Sequence, residues 1–308
     1  MKVMFMGTPD IAVCCLKSLI EAHNVVCVVT QTDKPKGRGQ KMAFPPVKEL
    51  ALELNIDVYQ PQTLKDGAFL EVLEMYKPEV IVVVAYGKIL PKYVIDYPKY
   101  GCINVHASLL PKYRGAAPIQ WVIVNGERIS GVTTMQMDVG LDTGDMLLKG
   151  EVEITDTMTA GELHDKFCEI SPRVLLDTLN GLEKGEITPQ KQDDSLSNYA
   201  SMLTKESCKI NWDETPQNII NLIRGMNPFP TAHTKYKDKS LKIYSAKITT
   251  GNGKNGEIIG IDNGLTVACN GGAINITELQ LEGKKRMQAI DFLRGHSLEI
   301  GTILGENL

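Results

Sequence analysis

Asn104 and His106 stand two residues apart in the apolar run Ile103-Asn104-Val105-His106. Side chains alternate faces along a strand, so this spacing puts a carboxamide and an imidazole side by side. A loop follows at once, carrying Pro111, Lys112, Arg114 and Gly115 before Pro118. Amide and imidazole N–H groups at the mouth of such a loop suit stabilising developing charge or relaying a proton. A lone histidine is more often a satisfied core residue. Two such groups on one face, opening onto a glycine-bearing loop, point instead to an active site at a strand end.

Other candidates carry less. Asp138, Asp142 and Asp145 fall in one glycine-containing segment, which suits a tight turn equally well. A calcium loop of the helix–loop–helix type is excluded, because no closing Glu stands at the required spacing. The residue types alone do not rank the three acids. Gly7-Thr8-Pro9 follows the first apolar run but lacks G-x-G-x-x-G, so it reads as a strand-to-helix turn rather than a dinucleotide site. Residues 33–48 hold five Lys or Arg against one acid, which suits either a solvated loop or an arm for phosphates. Tyr236 and Tyr244 lie in extended runs, where packing is a commoner role than base stacking.

Composition narrows the classes. A net charge of −4 argues against a basic coat over the whole surface, though not against a local patch. Seven cysteines at scattered positions show no C-x-x-C spacing, which argues against zinc and a disulfide framework. No metal is expected. The chain has no stretch of 18 apolar residues and opens directly into a strand-like run, so a cytoplasmic protein without membrane contact is expected.

The elements that must position Asn104 and His106 alternate along the first half. Apolar runs at 2–6, 25–30 and 80–85 alternate with amphipathic stretches at 9–22, 46–54 and 66–77. Pro9 suits the first turn of the first helix and Thr8 its cap. Extended runs at 103–106 and 132–137 and a long helix over 159–183 follow. The pattern predicts an α/β fold with a doubly wound, mostly parallel, Rossmann-like sheet over 1–189. A polar linker is expected over 190–206. From 207 to 308 short runs separated by Gly-Asn-Gly, Asp-Asn-Gly and Asn-Gly-Gly predict a smaller all-β, OB-like barrel domain.

Three segments together resemble the folate-dependent formyltransferases. Ser108-Leu109-Leu110-Pro111-Lys112-Tyr113-Arg114-Gly115-Ala116-Ala117-Pro118-Ile119 is similar to their signature. Ala85–Pro91 resembles the preceding strand-end loop, and Val139–Asp145 the acidic loop. The basic insert Lys34–Lys41 resembles the tRNA-contacting loop of the methionyl-tRNA formyltransferases. So do Asn227-Pro228-Phe229-Pro230, after a helix read as beginning with Trp212, and the barrel-like C-terminal half.

The resemblance implies transfer of a formyl group from 10-formyltetrahydrofolate to the α-amine of initiator methionyl-tRNA, by a monomer. Free α-amines titrate near ~8 and ester substitution lowers that, so no strong base is needed to free the nucleophile. The demanding species is the tetrahedral intermediate with its oxyanion. Carried over from the family, Asn104 and His106 serve that oxygen as donors, and Asp142 holds His106. Ser108, Leu109, Leu110 and Pro111 form the folate-binding strip, its backbone reading the pterin edge. Lys36, Arg38 and Lys41 hold tRNA. Two alternatives remain: a formyltetrahydrofolate-dependent transferase or hydrolase that does not use tRNA, and a non-enzymatic OB-type RNA-binding protein.

Overall fold

The computed structural model describes residues 1–36, 41–296 and 298–305. Two compact units result. One comprises Met1–Gly115, Ile129–Val152 and His164–Tyr199, and the other Ala116–Arg128, Glu153–Leu163 and Ala200–Leu308. Residues 190–199 of the expected linker thus pack with the first unit. Two excursions from the first half belong to the second.

The first unit is built on a seven-stranded sheet. Its strands are β1 (Lys2–Gly7), β2 (Asn24–Val29), β3 (Val58–Tyr59), β4 (Val80–Val84), β5 (Cys102–His106), β6 (Ile129–Gln136) and β7 (Met146–Glu153). The spatial order is β7-β6-β5-β4-β1-β2-β3. The pairs β1/β2, β2/β3, β1/β4 and β4/β5 are parallel, and β6 runs antiparallel to β5. All five residues of β4, Val-Ile-Val-Val-Val, are buried, as a central parallel strand requires. Helices α1 (Asp10–Ala22), α2 (Pro46–Glu53), α3 (Leu70–Tyr76) and α4 (Lys92–Ile95) follow the parallel strands. The order reverses beside β1, where the chain passes from β2 and β3 on one side to β4 on the other. In open α/β sheets, ligands bind outside the carboxyl ends of strands at such a point.

Gly7 is the strand-to-helix turn that the sequence implies. A Cβ there would lie 2.7 Å from the Phe5 ring and 2.8 Å from Ala12 Cβ, so only glycine lets α1 start this close. Thr8 does not cap the helix. Pro9 takes the cap position, and Thr8 Oγ1 donates to the Tyr86 carbonyl instead (3.1 Å). Helix α5 (Pro118–Val124) belongs to the second unit, and the long α6 (Ala160–Lys184) starts there. Its capping box is complete: the Thr159 N–H donates to Glu162 Oε2 (2.7 Å) and the Glu162 N–H to Thr159 Oγ1 (3.2 Å).

The C-terminal part is an antiparallel sheet. Its strands are β8 (Ala232–Tyr236), β9 (Lys239–Thr249), β10 (Ile258–Gly260), β11 (Leu265–Cys269), β12 (Gly272–Leu281) and β13 (Met287–Gln288). The order is β8-β9-β12-β11-β10, with β13 also on β12. Helix α7 (Pro216–Gly225) and helix α8 (Ala289–Gly295) contribute Ile219, Ile223 and Phe292 to the same core as Ile243, Val267 and Ile276. Trp212 precedes α7 rather than beginning it, and Thr215 is the cap, accepting from the Asn218 N–H. The Tyr244 hydroxyl donates to Gln280 Oε1, and the Arg286 guanidinium covers its ring at 4.1 Å. Packing therefore accounts for that tyrosine. All seven cysteines are free thiols. Among the described residues, no helix is long and apolar enough to cross a membrane.

Candidate active site

Every residue of β5 is buried, and its third and fifth residues, Asn104 (9% exposed) and His106 (6%), share one face. His106 Nε2 lies 2.9 Å from the Tyr113 carbonyl oxygen. A carbonyl only accepts, so Nε2 carries a hydrogen and donates it. The other ring nitrogen, Nδ1, faces Asp142 Oδ2 at 3.6 Å. That is ion-pair reach but too long for a hydrogen bond. Asp142 Oδ2 in turn accepts the Gly115 N–H at 2.8 Å. The side chain of Asn104 makes no hydrogen bond to any described residue, which leaves its carboxamide donors for a bound molecule.

The geometry ranks the three acids. Asp138 closes its own turn, accepting from the Gly140 N–H (2.9 Å) and Thr143 Oγ1 (2.7 Å). At Asp145 the carbonyl receives the Gln136 N–H (2.8 Å), which aligns the start of β7 with the end of β6. Asp142 alone reaches His106. It does so from a left-handed backbone (φ 53°), which aspartate tolerates better than most residues. Among the described residues, no group of three His, Cys, Asp or Glu is placed as a metal site requires.

The strip Ser108-Leu109-Leu110-Pro111 follows β5 directly. Its backbone is braced by neighbouring side chains. Thr133 Oγ1 donates to the Ser108 carbonyl (2.7 Å) and accepts the Leu110 N–H (3.1 Å). Lys149 Nζ donates to the Leu110 carbonyl (2.6 Å), and the Leu109 carbonyl accepts the Lys112 N–H (3.2 Å). Ser108 Oγ donates to the Lys112 carbonyl (2.6 Å). The Leu110 side chain is fully buried against Met135 and Met146. The strip is braced along its backbone, and the Leu110 side chain packs into the core.

Of the basic candidates, Arg38 lies outside the described residues. Lys36 and Lys41 are described only as backbone, opposite each other in the hairpin Lys34–Lys36 and Lys41–Ala43. The root of that hairpin is tied down. Lys48 Nζ donates to Asp33 (2.8 Å) and to Gln60 Oε1 (2.8 Å). The hydrogen bonds that Asp33 accepts, from Lys48 first and from Gln60 Nε2 (2.8 Å) second, hold its carboxyl below the usual carboxylate range.

Thr133, Lys149 and Asn198 were not foreseen. Thr133 and Lys149 brace the strip as above, and Asn198 Oδ1 accepts the Tyr113 N–H, fixing the carbonyl that His106 uses. The sequence holds a faint signal for Thr133, a polar residue in a buried run. It holds none for the other two, whose partners are brought near only by the fold.

The chain is similar to known proteins over nearly its whole length. The family model "Formyl transferase" matches residues 1–179, and "Formyl transferase, C-terminal domain" matches residues 202–297. A protein of Clostridium novyi (strain NT) named methionyl-tRNA formyltransferase is 54% identical over 308 residues, covering 99% of this chain and all of that one. One of the same name from Ruminiclostridium cellulolyticum is 50% identical, again covering 99% and 100%. Among solved structures, an N-formyltransferase from Helicobacter canadensis, in complex with folinic acid and dTDP-3-aminofucose, superposes with a TM-score of 0.68. It is 21% identical and covers 90% of this chain and 98% of its own. HypX from Aquifex aeolicus with tetrahydrofolic acid gives 0.64 at 17% identity, over 98% of this chain and half of that one. At those identities the likeness speaks for the fold alone.

Proposed function

Because the chain belongs to the formyl transferase family, we propose that it transfers a formyl group to the α-amine of initiator methionyl-tRNA, giving N-formylmethionyl-tRNA for translation initiation. The observation that carries this reading is full-length identity of 50–54% to proteins named for that activity. The donor is 10-formyltetrahydrofolate, which supplies the formyl group at an activated nitrogen. The site suits it: an unpartnered carboxamide offers N–H where an oxygen gaining negative charge needs it, on the same strand face as the imidazole that faces Asp142. The enzyme acts in the cytoplasm, as a monomer.

Each residue has a role. Asn104 offers its amide N–H to the formyl oxygen. The His106 Nε2–H is already held by the Tyr113 carbonyl, so the ring works through Nδ1, the side that faces Asp142. Asp142 faces that nitrogen and takes the proton the amine gives up, directly or through water. Donors of this kind, fixed before the substrate arrives, are worth ~10²–10³ each in rate. Ser108, Leu109, Leu110 and Pro111 line the folate side of the site, Leu110 through its backbone with its side chain in the core. Lys36, Arg38 and Lys41 hold tRNA phosphates, so tRNA binding weakens steeply with salt.

The test is to incubate the protein with 10-formyltetrahydrofolate and methionyl-tRNA and to isolate the aminoacyl product. N-formylmethionine on the tRNA is the expected outcome, with His106→Ala and Asp142→Asn each ~10²–10³ slower. Formyl-folate consumed equally fast without tRNA would overturn the reading in favour of a hydrolase. A protein that binds tRNA but leaves the folate untouched would overturn it in favour of an RNA-binding role.

A further inference from the structure

Asp142 reaches His106 from a loop whose backbone it holds in a left-handed conformation, and such a conformation persists only where the surroundings over-determine it. Gln192 supplies that constraint. It is one of only two half-buried residues between Lys191 and Tyr199, a stretch otherwise exposed. Its Nε2 donates to the Asp142 carbonyl (2.8 Å) and to the Gly144 carbonyl (2.8 Å). Its Oε1 accepts from Arg114 Nε (2.9 Å), and Arg114 Nη2 donates to Asp194 Oδ1 (2.8 Å). The orientation of the amide is thereby fixed: the oxygen must face the guanidinium and the nitrogen the two carbonyls. Arg114 adjoins Gly115, whose N–H holds the Asp142 carboxylate. The backbone and the side chain of Asp142 are thus gripped from the same short segment, once directly and once through Gln192.

From this arrangement we infer that Gln192 is a positioning residue for Asp142, acting on His106 only through the distance and angle at which that carboxylate meets Nδ1. Arg114 orients Gln192, and Asp194 orients Arg114. The role rests on the formyl-transfer reading for its catalytic consequence but not for its structural one. Loss of the clamp frees the Asp142 and Gly144 carbonyls and lets the loop relax out of the left-handed turn. Methionine at 192 has nearly the length and volume of glutamine but lacks its amide, so it removes the two hydrogen bonds to the loop and the one from Arg114, with little loss of packing.

The experiment uses the full chain labelled with ¹⁵N-histidine, with the His106 ring signals assigned by their disappearance in His106→Gln. In Gln192→Met the His106 ring signals move from their wild-type positions at the same pH. In an Asp142→Asn background the same change leaves them where Asp142→Asn alone puts them. Turnover of Gln192→Met falls by at least ~10-fold, with KM for the folate and for tRNA within about threefold of wild type, since only the reacting geometry is touched. Ring signals that stay in place, or that move equally in both backgrounds, overturn the inference. So does a rise in KM without a fall in kcat. The spectroscopic arm needs no formyl transfer. A wild-type protein inactive in the assay would therefore undo the proposed function while leaving the clamp to stand or fall by the ring signals.

Discussion

Asn104 shows what a pre-built donor looks like: nine-tenths covered, at a strand end, with no side-chain hydrogen bond to a described residue. Its amide still reaches solvent, so a bound oxygen exchanges one partner for another rather than forcing a new desolvation. Asn104→Asp keeps the shape and replaces the N–H donors by an acceptor. Turnover is expected to fall ~10²–10³-fold with little change in the thermal midpoint, measured side by side on the purified variant. Undiminished turnover would remove Asn104 from the donor set. At this scale the sequence was legible where local spacing decides. Asn104 and His106 share a face because strands alternate. Asp142 was not separable from Asp138 and Asp145 by residue type, and only the family resemblance singled it out. Gln192 was invisible. It is one polar residue in a polar stretch, and its two carbonyl partners lie 50 and 48 residues away.

Elements are legible in sequence where burial is two-sided or strictly periodic, as in β4 and α1. They are hidden where glycine and charge interrupt the pattern. The Met-Leu-Leu-Lys-Gly-Glu-Val-Glu of β7 alternates in burial along its outer half, but Gly150 and the preceding turn-rich loop hide the strand. That same glycine sits at a close approach. A Cβ on Gly131 of β6 would lie 2.0 Å from the Gly150 carbonyl oxygen and 2.8 Å from Leu109 Cδ2. Gly131→Ala must therefore push β6 from β7 and disturb the strip beside the site. We expect a loss of ~1–3 kcal/mol in chemical denaturation, as for overpacked cores. The hairpin root carries a pH signature. The Asp33 carboxyl lies below its ordinary range in the folded chain, so its contribution to stability is present above that range and is lost as pH falls through the lowered value. Asp33→Asn should thus lower the thermal midpoint near neutral pH, and the gap to wild type should narrow below about pH 4. A gap constant across that range would show that ionisation of Asp33 adds nothing to the stability of the fold.

At the scale of the whole molecule, the order of segments along the chain and their grouping in space part company. The second unit is not simply the C-terminal half. It also takes α5 with its flanks and the 153–163 segment. Gly225 lets α5 approach α7, since a Cβ there would meet Val124 Cγ2 at 2.6 Å. Arg224 then fastens the three pieces. Although charged, it is 8% exposed. Its Nη1 donates to the carbonyls of Thr155 (3.2 Å) and Met158 (3.1 Å), Nη2 to that of Ile123 (3.5 Å), and Nε to Asn221 Oδ1 (3.0 Å). Burial, with Arg128 nearby, lowers the guanidinium from its ordinary value, and the ring of carbonyl dipoles offsets the cost of holding that charge out of water. In sequence Arg224 reads as an ordinary surface cation near a helix C-terminus, because the carbonyls that bind it come from two distant segments. Arg224→Met keeps the aliphatic stem and strips the donors, leaving buried carbonyls without partners. The expected loss is ~2–4 kcal/mol in urea denaturation of the full chain. Lys at 224 should recover only part of it, because one ammonium cannot span three carbonyls and an amide in the plane of a guanidinium fork. Wild-type stability in Arg224→Met would mean that α5 and the 153–163 segment are held to this unit by apolar packing alone.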